Sequence, residues 1–384
     1  MKPIWRAILF FLPLTAVFGT PALVLWLGGE FTSPDTVIAR QERGDQLVLF
    51  GPAYTDSALY LKVRRLIHQR PKVLALGNSR VMQFRRGFFL PGTSFYNAGG
   101  TVARLPHFLA FLKDLPPEAL PETLIIATDL GYFNASFDKL DLDKFSTAWL
   151  DEQMTRHASP DDIFQKNWQT VWTAIRQGKI KFARLASLDG LGPRIGLNAL
   201  CNEQGFRNDG SYLYGGVELN IHDPRHRDYQ FAGTLRHIAR GVGRFAYADG
   251  PSPGSLREMD ALLDWCQERK IHVIGFFPPH AHAVWAAMMA KGEKYAFIPK
   301  LETELRARFD ARGFEFFDFN DFATLGSPDD DAIDGYHGSE RTYLRLVIAM
   351  LESGSQLNAC ADLPALRGVL VASKSHTSLF PERP

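Results

Sequence analysis

The sequence predicts an α/β fold built on a parallel β-sheet. Short apolar runs at Val73–Leu76, Thr123–Ala127, Ile271–Phe277 and Phe314–Asp318 stop abruptly, several at glycine or proline. Such runs read as strands buried on both faces. Stretches with helical apolar spacing, Pro106–Leu115, Ser255–Arg269 and Ile298–Arg312, lie between or beside them. Strands alternating with helices at this spacing indicate a doubly wound parallel sheet.

Taken in order, the first element is apolar. Lys2 and Arg6 precede an uncharged stretch, Ala7–Leu27, with Glu30 as the next charge. About 20 such residues cross a bilayer as a helix. Pro13 and Pro21 are kinks that membrane helices tolerate, and Trp5 and Trp26 sit near the two ends, where indoles favour the interface. The leading positive charges place the N-terminus in the cytoplasm and the remainder outside. No convincing cleavage site follows Leu27, so residues 1–30 are expected to be an uncleaved signal-anchor.

Residues 31–360 are expected to form the main domain. Ser57–Gln69 has helical spacing, Val73–Leu76 is the first strand, and Val81–Phe89 is expected to enter a helix. Ser94–Gly100 reads as a second strand running into a glycine turn, and Thr123–Ala127 as a third. The alternation then breaks. Residues from about 135 to 250 are expected to be a long insertion with little strand periodicity, holding a helix near Ile163–Gly178 and a Gly/Asn/Tyr-rich loop at Gly205–Gly216. Ser339–Leu351 reads as the last helix, and the tail 361–384 is expected to carry little structure.

Lys and Arg total 43 against 42 Asp and Glu, so there is no basic excess of the kind a nucleic-acid binder shows. The odd set Cys201, Cys266 and Cys360 argues against a disulfide framework, and the absence of Cys-x-x-Cys argues against structural zinc. A single bridge in an oxidising compartment stays open, and Cys266 reads as a buried small residue. Pro224 spoils the helical spacing of His222 and His226 as a metal pair, and Asp329–Asp331 reads as a solvated loop. No metal or cofactor is expected. Trp172, Tyr212 and Tyr214 are either platforms for sugar rings or core.

Two short motifs carry the chemistry. Gly77-Asn78-Ser79-Arg80 ends the first strand, where Gly77 is expected to permit a sharp turn that lifts Ser79 from the sheet edge. Alone, this is an ordinary turn with Ser79 as a helix cap. Asp334-Gly335-Tyr336-His337 lies in the loop before the last helix. Sites in open parallel sheets form at the C-terminal strand ends, so Ser79, Gly99, Gly100, Asp129, Pro278 and the Asp334–His337 loop should converge.

This order resembles the SGNH/GDSL hydrolase superfamily over residues 70–134 and 255–351, with Asn97-Ala98-Gly99 as the glycine block. The resemblance implies a flavodoxin-like three-layer α/β/α fold with Ser79 as nucleophile, His337 as its base and Asp334 holding the imidazole. It implies oxyanion donors on the backbone of Ser79, Gly99 and Gly100. The family's third block, Gly-x-Asn-Asp, is absent, and Asn134, in its region at a different spacing, is the candidate for the side-chain oxyanion donor. Arg80, Asp129 and His280 are expected to contact substrate, with capping of a carboxylate as the alternative for Arg80. The departure and the anchor resemble the extracytoplasmic subgroup that accompanies membrane-bound O-acyltransferases, as in alginate O-acetylation or D-alanylation of teichoic acid. That implies a single-pass protein of the bacterial inner membrane with its domain in the periplasm. It would move an acyl group, acetyl first, on an exported polysaccharide. The alternatives are a stand-alone short-chain esterase or lipase and a non-catalytic scaffold in a secretion complex.

Overall fold

The computed structural model describes residues 10–44, 46–54, 58–137, 158–185, 192–215, 221–226 and 228–380. Lys2, Trp5 and Arg6 lie outside these residues, as do residues 138–157 of the insertion. In chain order the strands are β1 (Leu49–Phe50), β2 (Val73–Gly77), β3 (Phe95–Gly99), β4 (Thr123–Ala127), β5 (Arg194–Ile195), β6 (Gly205–Phe206), β7 (Tyr212–Leu213), β8 (His272–Phe277) and β9 (Glu315–Asp318).

Five strands form a sheet in the order β3-β2-β4-β8-β9, with every neighbouring pair parallel. Side chains alternate across it, as the pleat requires. Leu74, Leu76, Leu124, Ile126 and Val273 pack against Ala58–Gln69, Leu105–Lys113, Pro253–Glu268 and Phe297–Asp310, the helices of one face. Val73, Ala75, Ile125, Ala127 and Ile274 pack on the other face with Phe84, Phe88 and the helix Glu340–Glu352. Gly77 pairs with Gly99, Leu76 with Ile126, and Ala127 with Phe276. This register brings the C-terminal ends of β2, β3, β4 and β8 to one edge.

Three expectations are corrected. Val81–Phe89 is not an α-helix; two short 3-10 turns, Ser79–Val81 and Arg86–Phe88, replace it. Phe84, Phe88 and Phe89 are all buried, so this stretch fills the core instead of presenting one helical stripe. The tail is folded to residue 380 in part as a helix, Leu363–Ala372, capped by Asp362 and packed on Glu340–Glu352. Asp331 is not solvated: it is fully buried among Arg345, His376 and Ser327.

The insertion does contain strands. β5 pairs parallel with β1, and β6 and β7 form an antiparallel hairpin beside β1, giving a second sheet in the order β5-β1-β6-β7. Its long helix, Pro160–Arg176, is fixed at its start by a reciprocal Ser159–Asp162 capping box.

One N-terminal helix, Phe10–Leu27, is long and apolar enough to cross a membrane. Its C-terminal half packs on Pro160–Arg176, where the Trp172 Nε1–H donates to the Val17 carbonyl at 2.7 Å and Phe18 meets Trp168. Trp172 is therefore part of this helix contact. The exit of this helix is also fastened. Glu30 is buried and accepts from the N–H groups of Leu197 (2.7 Å), Ala53 (2.9 Å) and Tyr54 (3.4 Å). Burial raises its carboxyl above the usual range even though these N–H groups pull the other way.

Candidate functional site

Ser79 opens the 3-10 turn at the end of β2. Asn78 precedes it in extended conformation and caps the turn, its Oδ1 accepting from the Arg80 N–H at 2.9 Å. Gly77 has no left-handed backbone, so the expected turn at this residue is not what requires glycine. A Cβ there would lie 3.0 Å from Val81, so the requirement is close approach. The fully buried Asn97 straps the segment after Ser79 to β3: its Nδ2 donates to the carbonyls of Val81 (2.8 Å) and Phe84 (2.9 Å).

His337 comes to Ser79 from across the sheet edge, with Nε2 2.8 Å from Ser79 Oγ. Its Nδ1 lies 2.9 Å from Asp334 Oδ2 and 3.0 Å from Oδ1. Asp334 Oδ1 also accepts the backbone N–H groups of Tyr336 and His337, each at 2.8 Å, so one carboxylate folds the loop and orients the ring. Burial would raise Asp334, but His337 and these N–H groups hold it well below the usual carboxylate range. The loop is braced from behind by Asp228, which accepts from Gly335 N (2.9 Å), Thr234 N (2.8 Å) and Thr234 Oγ1 (3.1 Å).

The expected substrate contacts lie elsewhere. Arg80 is only 2% exposed; its guanidinium donates to the carbonyls of Pro278 (2.8 Å) and Pro279 (2.6 Å) and approaches Asp129 Oδ2 at 3.6 Å. Its Nη1 also lies 3.1 Å from His280 Nε2. A guanidinium only donates and a carbonyl only accepts. His280 therefore accepts at Nε2 and donates from Nδ1 to the Asn320 carbonyl at 3.3 Å, as a neutral ring. Burial, then the charge of Arg80, push its pKa well below the ordinary value. Asp129 accepts from the Tyr336 hydroxyl, from Gly131 N (3.0 Å) and from Asn78 Nδ2 (3.4 Å). Burial would raise its carboxyl, but Arg80 and the Tyr336 hydroxyl hold it below the usual range. Arg80, Asp129 and His280 thus form a buried lattice under the Asp334–His337 loop, with Tyr336 linking it to His337.

Three expected oxyanion donors are committed. The Gly99 N–H donates to Asn97 Oδ1 at 2.8 Å, and the Gly100 N–H to the Gly77 carbonyl at 2.8 Å. Asn134 is buried, with Nδ2 on the Ala246 carbonyl at 2.6 Å and Oδ1 accepting from Ser136 N. The Ser79 N–H is left from the expected set. It starts the turn, where an N–H has no acceptor within its own helix.

Ser79 faces a cleft of about 640 Å³, lined by Tyr54, Met82, Phe206, Tyr212 and Tyr214. The Tyr214 ring centroid lies 5.8 Å from that of His337, so Tyr212 and Tyr214 belong to the cleft wall. Sequence reasoning missed Lys62, which is fully buried, donates to the Gly99 carbonyl and lies 4.5 Å from the Phe206 ring centroid. Its signal was a lysine within the apolar face of Leu59, Val63 and Leu66. Tyr336 sat unread inside Asp-x-x-His; Asp228 gave no signal. Comparison of the chain with protein-family models, curated proteins and solved structures finds no match.

Proposed function

We propose that this protein is an SGNH-like serine acyltransferase or esterase that acts on O-acyl groups, acetyl first, of an exported polysaccharide. The observation that carries the reading is the continuous chain from Ser79 Oγ to His337 Nε2 and from His337 Nδ1 to Asp334, set at the C-terminal ends of parallel strands. Ser79 Oγ attacks the acyl carbonyl carbon as His337 Nε2 takes its proton. The ester C–O bond then breaks, and His337 returns that proton to the leaving oxygen. A sugar hydroxyl or water next gives its proton to His337 and attacks the acyl-Ser79 carbon; the bond from that carbon to Ser79 Oγ breaks, and His337 returns the proton to the serine oxygen. Asp334 stabilises the imidazolium in both halves. The aromatic cleft suits a sugar or a short acyl chain.

The fold belongs to this reading as a flavodoxin-like three-layer domain. So does its place: a single-pass anchor in the inner membrane with the cleft on the periplasmic side, beside a membrane-bound O-acyltransferase that supplies the acyl group. A direct test uses the full chain in detergent with an O-acetylated oligosaccharide and a labelled acceptor sugar. Ser79-dependent release or transfer of acetyl supports the reading; acetyl chemistry unchanged in Ser79→Ala contradicts it.

The commitment of Gly99, Gly100 and Asn134 favours a second reading, a non-catalytic scaffold in a polysaccharide modification complex. Removing one oxyanion donor typically costs about 100- to 1000-fold in turnover, so a site short of donors is a poor catalyst. In that case polymer acylation in cells would survive Ser79→Ala while a membrane partner still co-purifies.

A further inference from the structure

We propose that Asp129 and Tyr336 are positioning residues that set the distance between Ser79 and His337, one buried carboxylate holding the chain neighbour of each. The inference deepens the acyl-transfer reading of the site and rests on it.

Ser79 and His337 are 258 residues apart in the chain, yet their side chains meet at 2.8 Å. The segments that carry them lack a shared strand. The ladder between β2 and β3 ends at Gly77, and the loop Asp334–His337 lies outside both sheets. A third element joins them. β4 pairs with β2, and Asp129 stands just past its end. Asp129 Oδ2 accepts from Asn78 Nδ2 at 3.4 Å and also from the Tyr336 hydroxyl. Asn78 precedes Ser79 in the chain and Tyr336 precedes His337. One oxygen therefore ties the nucleophile's turn to the base's loop.

Both halves of this clamp are fixed. Asp129 is only 3% exposed; its Oδ1 accepts from Gly131 N at 3.0 Å, and Arg80 Nη1 lies 3.6 Å from Oδ2. Hydrogen bonds to an ionised group are the stronger kind, and more so away from water. The Tyr336 ring is caged. The guanidinium carbons of Arg80 and Arg244 lie 4.3 and 3.8 Å from its centroid. The rings of Phe245 and His280 stand at 6.3 and 6.2 Å, and that of His337 at 5.1 Å, nearly perpendicular. The Tyr336 N–H meanwhile donates to Asp334 Oδ1 at 2.8 Å. Tyr336 thus bridges two carboxylates, Asp129 through its hydroxyl and Asp334 through its backbone. The cleft is lined by Ser79, Met82 and Tyr214 but by neither Asp129 nor Tyr336, so the pair acts through Ser79 and His337 and not on substrate.

The experiment measures Ser79 labelling by a neutral phosphonofluoridate in the full chain in detergent. The maximal rate and the half-saturating concentration are read separately, and urea unfolding checks that each variant is folded. Tyr336→Phe removes only the hydroxyl. It should lower the maximal rate about 10- to 100-fold, the cost of a small misplacement of reacting groups, and leave the half-saturating concentration as it is. Asp129→Asn should lower the same rate. Because both variants break one bond, combining them should add no more than about two-fold to the larger single loss. Tyr60→Phe is the control: it removes a hydroxyl that donates to Asp35 at 3.1 Å, on a residue that does not line the cleft, and labelling should stay within about two-fold of native. If Asp129→Asn does not fold, Tyr336→Phe alone decides. An unchanged maximal rate in Tyr336→Phe, a loss confined to the half-saturating concentration, an equal loss in Tyr60→Phe, or single losses that multiply in the double variant would overturn the clamp and leave the acyl-transfer reading in place. A folded native chain with no Ser79 adduct would remove that reading, and the clamp with it.

Discussion

Lys62 allows a quantitative test of how the sheet edge under Ser79 is held. Its amine is fully buried, donates to the Gly99 carbonyl and touches the Phe206 ring. Burial lowers its pKa from 10.5 to about 7, with Asp209 opposing. The unfolded chain keeps this proton up to its ordinary pKa, whereas the folded chain releases it near 7. Between those values the unfolded state binds more protons, so stability rises with pH. Integrated from pH 7 to pH 9, the gain is about 2 kcal/mol. Near pH 9 Cys266 opposes part of this gain: burial pushes its thiol from 9.0 up to about 12, so the unfolded chain loses that proton first. Urea unfolding of the full chain in detergent, followed by tryptophan fluorescence at pH 7, 8 and 9, reads the slope directly. Lys62→Met should abolish most of it, while costing about 1–3 kcal/mol for the orphaned Gly99 carbonyl. A native chain with flat stability over this range, or a Lys62→Met slope equal to the native one, would refute the reasoning.

Asp334→Asn should lower the rate of Ser79 acylation by about 10⁴, because the amide leaves His337 in the wrong tautomer; stopped-flow turnover of an activated ester measures it. Asp334 is held below its ordinary value of 3.8, so its contribution to stability is present above that pH and is lost as pH falls further. Acid unfolding of Asp334→Asn should lack that decline. Glu30→Ala strips the acceptor from three backbone N–H groups, and at about 1–3 kcal/mol for each buried orphan it should destabilise the full chain by about 3 kcal/mol or more, read by urea unfolding in detergent. Asn97→Ala orphans the Val81 and Phe84 carbonyls and the Gly99 N–H, and should cost about 3 kcal/mol or more by the same measure while slowing Ser79 labelling.

The central strands were legible because each is buried on both faces and reads as an unbroken apolar run. Thr123–Ala127 has the same limits in sequence and structure, and the helix expected at Ser339–Leu351 runs from Glu340 to Glu352 with Ser339 as its cap. β1, β5, β6 and β7 have two residues each, too few for any period to show, and they exist only because distant segments pair. The tail helix has Leu366 as its one fully turned-in residue, and its place depends on the helix Glu340–Glu352 beneath it. At the site, chain order was enough to bring Ser79, Asp334 and His337 to one crevice. Arg80 left two readings open in the sequence, a contact to an anionic polymer or a cap on a carboxylate, and the second is the one found. Only the fold shows the carbonyls of Pro278 and Pro279 and the carboxylate of Asp129 closing around it. The Gly99 and Gly100 N–H groups failed as donors for the same reason: a sequence does not say which carbonyl a backbone N–H already serves.

The most direct test of the account is chemical. The full chain in detergent, N-terminal helix included because Glu30 joins it to the cleft wall, is treated with a serine-reactive phosphonofluoridate beside His337→Ala, and the adduct is mapped by mass spectrometry. The account predicts modification of Ser79 in the native chain and its loss in the variant, since the hydroxyl is reactive only while His337 Nε2 takes its proton. An unmodified Ser79 in well-folded native protein, or equal modification without His337, would contradict it.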